Sequence, residues 1–228
     1  MNIKSLGSSS KGNAYIINDG VTTILIDCGL PIKELKRKSE FKIPSILDGC
    51  IISHEHNDHI RAAKDLMKLG VPCYMLKETA ENKGIGADYF LKQMEFKKYF
   101  SIGTFTIKPL QMNHDVPCAG FLIYSSHTKE RLLYAIDTYY VPYLTKGLNY
   151  IMIEANHDVD KLTEDDRANR LYKSHMSIQT AANYLKQCDL SQVEKIYLMH
   201  LSDENSDERL FKRCIQKITG KEVEVFGR

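Results

Sequence analysis

No two cysteines of this 228-residue chain stand in CxxC spacing. The six present, Cys28, Cys50, Cys73, Cys118, Cys188 and Cys214, are scattered along it, which excludes a zinc ribbon and argues against a disulfide framework. The opening Met1-Asn2-Ile3-Lys4 lacks the pattern of a secretory leader. The expectation is therefore of buried thiols in a reducing compartment and a cytoplasmic location. No apolar run approaches the roughly 18 residues of a membrane span, so no membrane partner is expected. No Pro/Gly/Ser-rich linker divides the chain and no internal repeat is visible, which predicts one domain over 1–228. The net charge of +2 gives no global electrostatic reason to bind nucleic acid, although a total says nothing about a local basic surface.

What the chain does have is a 43% hydrophobic composition, enough for a sizeable core, and one dense polar cluster. In Ile51-Ile52-Ser53-His54-Glu55-His56-Asn57-Asp58-His59, the imidazoles of His54, His56 and His59 and the carboxylate of Asp58 follow an apolar run. Cys50-Ile51-Ile52 reads as a short buried strand, and its end delivers His54 and His56 to the same side, two apart on extended backbone. A helix is predicted over Asp58–Leu69. Imidazole nitrogen and carboxylate oxygen are the usual donors for zinc and similar ions. His54 and His56 can chelate one ion. Asp58 and His59 lie past the bend and suit a second. Two ions about 3.5–4 Å apart can share a bridging water and clamp the oxygens of a displacement.

His54-x-His56-x-Asp58-His59 resembles the HxHxDH motif of the metallo-β-lactamase superfamily. Around it, the chain reads as strands ending in polar groups. Asn2–Leu6 is a strand, followed by the tight polar loop Gly7-Ser8-Ser9-Ser10-Lys11-Gly12-Asn13. That loop suits a phosphate or contacts behind a metal site, with Ser9 and Asn13 as candidates, and reads equally as an ordinary hairpin loop. Ala14–Asn18 and Val21–Ile26 form a hairpin about Asp19-Gly20. Asp27 ends the second of these strands, and the resemblance gives it a part beneath the metal site. Pro31–Ser39 suggests a basic-faced helix. Val71–Met75 is the next strand, completing a strand–helix–strand unit, and Lys77–Asp88 reads as a helical turn and loop.

Met94–Phe100 and Thr104–Leu110 are predicted to pair as a hairpin. Phe90, Phe96, Tyr99 and Phe100 alternate there with Lys92, Lys97 and Lys98. This suits either single-stranded nucleic acid or, more simply, strand aromatics facing the core with lysines facing water. His114 sits at the end of the second strand and is the natural third nitrogen ligand. Ala119–Tyr124 and Arg131–Ile136 form a further hairpin that ends at Asp137. An ionised carboxylate there needs a partner, and Asp137 is assigned as the bridging ligand. Leu148–Ile153 ends in Glu154-Ala155-Asn156-His157-Asp158. Glu154 or His157 can orient a ligand histidine through its second ring nitrogen, and His157 is also a candidate ligand. Asp160–Tyr172 reads as a charged, mobile surface segment. Ser177 is a good N-cap for a helix with Ile178, Ala181, Ala182 and Leu185 on one face. His175, just before it, is a candidate for substrate contact or leaving-group protonation, or a plain surface histidine. Lys195–Met199 is the last inner strand, with His200 at its end. An amphipathic helix and an edge strand over Glu222–Phe226 close the chain.

The order HxHxDH, His, Asp, His matches the superfamily, whose fold is an α/β (α+β) four-layer αββα sandwich with a dinuclear site on one edge. The resemblance implies one ion held by His54, His56 and His114, another by Asp58, His59 and His200, and Asp137 between them. Leu6–Asn13, Glu154–Asp158 and His200–Asn205 closely resemble the bacterial YycJ/WalJ group, described as exonucleases of DNA metabolism. His175-Met176-Ser177 resembles that group's His-Leu-Ser. The favoured expectation is a dinuclear phosphodiesterase or nuclease acting on DNA or RNA, with Asp58 orienting the nucleophile and His175 assisting the leaving group. Zinc is the first candidate metal, with manganese, iron and nickel accommodated. Nucleic acid would lie on the core surface or in the groove of a homodimer. The alternatives are a cyclic-nucleotide or other small-phosphodiester phosphodiesterase, favoured by a pocket closed by residues 77–100, a thioester or lactone hydrolase, and a non-enzymatic metal-stabilised binding module.

Overall fold

A computed structural model describes residues 1–162 and 174–227. All but the first three residues of Asp160–Tyr172 lie outside the described residues. The order of elements is β1 (Asn2–Gly7), β2 (Ala14–Asn18), β3 (Thr23–Ile26), α1 (Ile32–Lys38), β4 (Gly49–Ile51), α2 (Asn57–Ile60), α3 (Ala63–Lys68), β5 (Cys73–Leu76), α4 (Lys77–Asn82) and β6 (Leu91–Met94). There follow β7 (Phe100–Ile102), β8 (Phe105–Met112), β9 (Cys118–Ser125), β10 (Arg131–Ala135), β11 (Tyr150–Glu154), α5 (Ile178–Gln187), β12 (Lys195–Met199), α6 (Glu208–Thr219) and β13 (Glu222–Val225). A 3₁₀ turn covers Val159–Lys161.

The strands form two sheets, one in the order β1-β2-β3-β4-β5-β6 and the other β13-β12-β11-β10-β9-β8-β7. β1 to β3 are antiparallel and β3 to β6 parallel. In the second sheet β10 to β13 are parallel and β7 to β10 antiparallel. Successive side chains of a strand face opposite sides, and that period sorts the core into layers. Tyr15, Ile17, Ile24, Ile26 and Ile51 of one sheet meet Phe105, Phe121, Tyr134, Met152 and Met199 of the other. Their neighbours Leu25, Cys50 and Ile52 face outward onto Leu35, Leu66 and Met67 of the helices. Leu133, Ile151, Ile153 and Leu198 face α5 and α6 through Leu185, Phe211 and Ile215. The result is the expected αββα sandwich, a double-layered sheet with helices on both outer faces.

Two predicted elements come out differently. The helix read over Asp58–Leu69 is broken at Arg61-Ala62 into α2 and α3. The carbonyl oxygens of Asp58 and His59 accept from the amides of Asn13 (2.7 Å) and Cys28 (2.7 Å), and the amide of Ala62 donates to Cys28 instead (2.9 Å). Long-range partners thus take the groups that would continue the helix. The strand read over Met94–Phe100 is two strands. β6 closes the edge of one sheet and β7 opens the other, with Lys97 at φ 66° in the turn between them. The partner of β8 in the hairpin is therefore β7, Phe100–Ile102, which takes in Ser101 and Ile102 beyond the end of the predicted strand. Phe96 and Phe100 pack toward the inter-sheet core, whereas Tyr99 is exposed with Lys108 Nζ 5.1 Å from its ring centroid. The cysteines are free, four of them buried. No helix among the described residues is long and apolar enough to cross a membrane.

Candidate metal centre

Six strand ends meet at one edge of the sandwich. β3 ends at Asp27, β4 leads to Ser53-His54, β8 to His114, β10 to Asp137, β11 ends at Glu154 and β12 leads to His200. Asp27, Asp137 and His200 are all left-handed, at φ 57°, 45° and 54°. Residues without glycine's freedom hold that conformation at a cost of about 1–3 kcal/mol each, and such strain clusters at functional sites. The chain turns sharply at each of these strand ends, bringing buried carboxylate and imidazole together.

Asp137 is the hub. Its Oδ2 lies 2.9 Å from His59 Nε2 and 3.3 Å from His54 Nε2, and its Oδ1 lies 2.7 Å from His200 Nδ1. His114 Nε2 faces His56 Nδ1 at 3.2 Å. Asp58 Oδ2 lies 3.5 Å from His59 Nε2 and 3.8 Å from His200 Nε2. Potential donor atoms fall into three groups, the atoms of each within 4.8 Å of one another: His54, His56, His114 and Asp137; Asp58, His59, Asp137 and His200; and Asp137, Glu154, His175 and His200. Glu154 Oε1 lies 2.7 Å from His175 Nδ1 and 3.1 Å from His200 Nδ1. The seven ligand candidates therefore sit in two groups that share Asp137, as the resemblance implies. Glu154 and His175 join the same cluster. His157 is buried but belongs to none of the three groups.

The site is also braced from behind. Asp27 Oδ2 lies 2.8 Å from His59 Nδ1 and accepts from Ser53 Oγ (3.0 Å) and Tyr134 Oη (2.6 Å), while Oδ1 accepts the Ser53 amide (2.7 Å). A carboxylate on Nδ1 places the proton there and leaves Nε2 of His59 as the free lone pair. Ser53 Oγ lies 3.0 Å from His54 Nδ1, which Cys118 Sγ also approaches at 3.7 Å. Asn13 Nδ2 lies 3.1 Å from His59 Nε2 and bonds the Ser9 carbonyl (3.1 Å). Sequence reasoning passed over Ser8, whose hydroxyl accepts from Tyr15 (2.8 Å) and from the His200 amide (2.9 Å). It also passed over Tyr134 and over Asp115, whose Oδ1 lies 3.0 Å from His114 Nε2. Asp115 directly follows a histidine at a strand end, which was the available signal. Tyr134 looked like any core aromatic.

The charges follow from this geometry. Burial, helped by the neighbouring imidazoles, keeps His54 well below the ordinary histidine range, so it is a neutral donor. Burial likewise lowers His114. Burial opposes the charge on His59, but Asp137 and Asp27 outweigh it and hold its pKa well above the usual range. The same contest raises His200 to about 9, through Asp137 and Glu154, and His175 to about 11, through Glu154 and Asp137. Burial would raise Asp137, yet the imidazoles of His200 and His59 keep it well below the carboxylate range. The donor set fits a divalent cation. The buried Nε2 atoms of His54 and His200 make no hydrogen bond among the described residues, although such groups are costly to leave unpaired. Nitrogen and carboxylate donors in this mixture suit zinc-like ions, and a bound cation takes the place of protons on the imidazoles.

The cluster opens into a recess of about 400 Å³ whose walls include His56, Asp58, His114, Asp115, His175 and His200. His175 is the part-exposed member of its group, at 20% side-chain exposure. None of residues 77–100 lines this recess, so the closed pocket that would favour a small phosphodiester is not built from them.

Residues 22–201 match the β-lactamase superfamily domain. The chain belongs to the metallo-β-lactamase superfamily. It is 31% identical over 229 residues to exodeoxyribonuclease WalJ of Streptococcus pneumoniae serotype 2 strain D39, an alignment covering 90% of this chain and 83% of that protein. It is 27% identical over 236 residues to exodeoxyribonuclease YycJ of Bacillus anthracis, covering 93% and 87%. In three dimensions it superposes on the metallo-β-lactamase fold protein YhfI of Bacillus subtilis with a TM-score of 0.75, at 20% identity, over 98% of this chain and 95% of that one.

Proposed function

We propose that this chain is a dinuclear metal-dependent phosphodiesterase that removes nucleotides from nucleic acid. The observation that carries the reading is the sharing of Asp137 by two groups of donor atoms. His54, His56 and His114 would hold one ion, Asp58, His59 and His200 the other, and Asp137 would bridge them. When bound, such a pair supplies Lewis acidity at the phosphoryl oxygens and a lowered pKa for water. Zinc is the first candidate, with manganese, iron and nickel next. The exodeoxyribonuclease names of both relatives favour a polynucleotide, with DNA before RNA.

The chain's own groups have distinct tasks. Asp58, half-buried at the edge of the recess, accepts a hydrogen bond from the attacking water and aligns it. The Glu154 carboxylate favours the protonated form of His175 against the effect of burial. Nδ1 faces Glu154 at 2.7 Å, which leaves the other ring nitrogen to donate to the departing oxygen. Asp27 fixes the ring of His59, and Ser8 anchors the His200 backbone.

The test is hydrolysis by metal-loaded protein, with His56→Ala and Asp137→Ala as controls. Labelled single- and double-stranded DNA, RNA, cyclic nucleotides and bis(p-nitrophenyl) phosphate are offered in parallel. Release of nucleotides from a polymer, lost in both variants, is the expected result. Cleavage of cyclic nucleotides alone, or thioester or lactone turnover without phosphodiester cleavage, would overturn it.

A further inference from the structure

Beside the metal recess lies a second one of about 420 Å³, lined by Ser10, Lys11, Gly29, Asn57, Asp58 and Arg61. Ser10 and Asp58 line both, so the two are contiguous. Their charges differ. The walls of the main recess carry Asp115, Asp203 and Glu204 besides Asp58 and Asp137. The flanking recess sets Lys11 and Arg61 against Asp58 alone. Asn57 and Arg61 stand one helical turn apart and so share a side.

The donors there are available. Among the described residues the guanidinium of Arg61 makes no hydrogen bond or ion pair; its backbone amide alone is engaged, with Asn57. Lys11 Nζ reaches Asp203 at 3.3 Å, but both side chains are well exposed, and an exposed pair contributes little and exchanges readily. Lys83 Nζ donates to Asn57 Oδ1 at 2.9 Å. This brings a third cation to the rim and satisfies the acceptor of the carboxamide, leaving its amide as a donor. Gly29, also in the lining, lets the Asp58 backbone approach closely: a Cβ there would stand 1.6 Å from the Asp58 carbonyl oxygen. Guanidinium, ammonium, carboxamide and hydroxyl donors, facing one carboxylate that is turned toward the metal ligands, make a surface for a phosphate group.

We infer that this flanking recess is a subsite for a second phosphate of the substrate strand, next to the phosphodiester being cleaved, with Arg61 as its fork and Lys11 as a point charge. The inference rests on the nucleic-acid reading above and adds to it where the strand lies: over α2 and the β1–β2 loop. The phosphate is either an internal phosphodiester or the strand's terminal phosphate.

The experiment measures binding rather than turnover. Metal-loaded full-length protein is titrated into a 3′-fluorescein single-stranded DNA 12-mer with phosphorothioate linkages, followed by anisotropy from low to moderate salt. Arg61→Ala should weaken binding about tenfold. It should also reduce the slope of log affinity against log salt by about 0.7, the value for one phosphate contact on a single strand. Lys11→Ala should act in the same direction, and Arg61→Lys should recover part of the loss. Lys217→Ala, on the exposed side of α6, should change little. An Arg61→Ala variant with wild-type affinity and slope, an equal loss on Lys217→Ala, or no binding by the wild type would each overturn the inference. An Arg61 effect confined to 5′-phosphorylated strands assigns the subsite to the terminal phosphate; an effect that persists with a 5′-hydroxyl assigns it to an internal one. Arg61-dependent binding without hydrolysis of an unmodified strand would overturn the proposed activity and leave the subsite standing.

Discussion

Replacing Asp27 by Asn changes no shape and one charge, yet it should disturb the metal centre from behind. The carboxylate is fully buried and engages four donors, those of His59, Tyr134 and Ser53 twice. If the Asn carbonyl keeps the Ser53 amide, its NH₂ then confronts three donors. The hydroxyls of Ser53 and Tyr134 can rotate to accept. His59 can adapt only by moving its proton from Nδ1 to Nε2, which removes the lone pair from the side facing Asp137. The carboxylate behind a ligand histidine typically contributes 10–100-fold to metal affinity, and that is the expected loss at the ion held by His59. Charged buried hydrogen bonds are each worth about 1.5–3 kcal/mol. With partial rescue by the hydroxyls, a net cost of about 3 kcal/mol lowers the melting temperature of a chain of this size by about 6–12 °C. Competition with a chelating dye gives the affinity, and calorimetry of the metal-loaded protein gives the melting point. Wild-type affinity together with a melting point within about 2 °C of wild type would refute the reasoning.

Two further consequences concern the scaffold. Gly29→Ala places a methyl group 1.6 Å from a backbone oxygen that is itself fixed by the Asn13 amide. Overpacking of that kind should cost about 3 kcal/mol and shift Asp58; an unchanged urea midpoint would contradict it. Asp19 ties the β2–β3 turn to the other sheet by accepting from Thr104 and Ser125, each at 2.5 Å, and from the amides of Val21 and Thr22. Burial opposes its charge, but these bonds bring its pKa down to about 2. The folded value lies below the unfolded one of about 3.9, so its contribution is fully present above that pH. It is lost as pH falls toward 2. Urea midpoints from pH 5 to 2.5 should therefore fall more steeply for the wild type than for Asp19→Asn, and parallel curves would contradict this.

Much of the architecture was legible because apolar residues alternate with period two and strands end at polar clusters. β2 and β12 emerged with their observed bounds, while the sandwich was implied by the family resemblance. The grouping of His54, His56, Asp58, His59, His114, Asp137 and His200 around one edge followed from their placement at strand ends together with the family motif. What stayed hidden depends on partners far away in the chain. Tyr134 meets Asp27 across 107 residues and Ser8 meets the His200 amide across 192, and neither residue type announces such a bond. The break between α2 and α3 was invisible for the same reason, since Asn13 and Cys28 capture the carbonyls that periodicity assigns to the helix. The stretch Met94–Phe100 misled because its aromatic and β-favouring residues serve two sheets, and pattern alone does not mark where a chain changes sheet. Arg61 drew no notice as one more charge on a helix.

The central claim is that Asp137 joins two ion sites, and metal stoichiometry tests it most directly. Protein equilibrated with a slight excess of zinc or manganese and then passed through a desalting column is assayed for metal per chain. Two ions in the wild type, one in His114→Ala and fewer than one in Asp137→Ala is the predicted series. A single ion in the wild type, or two ions retained by Asp137→Ala, would contradict it.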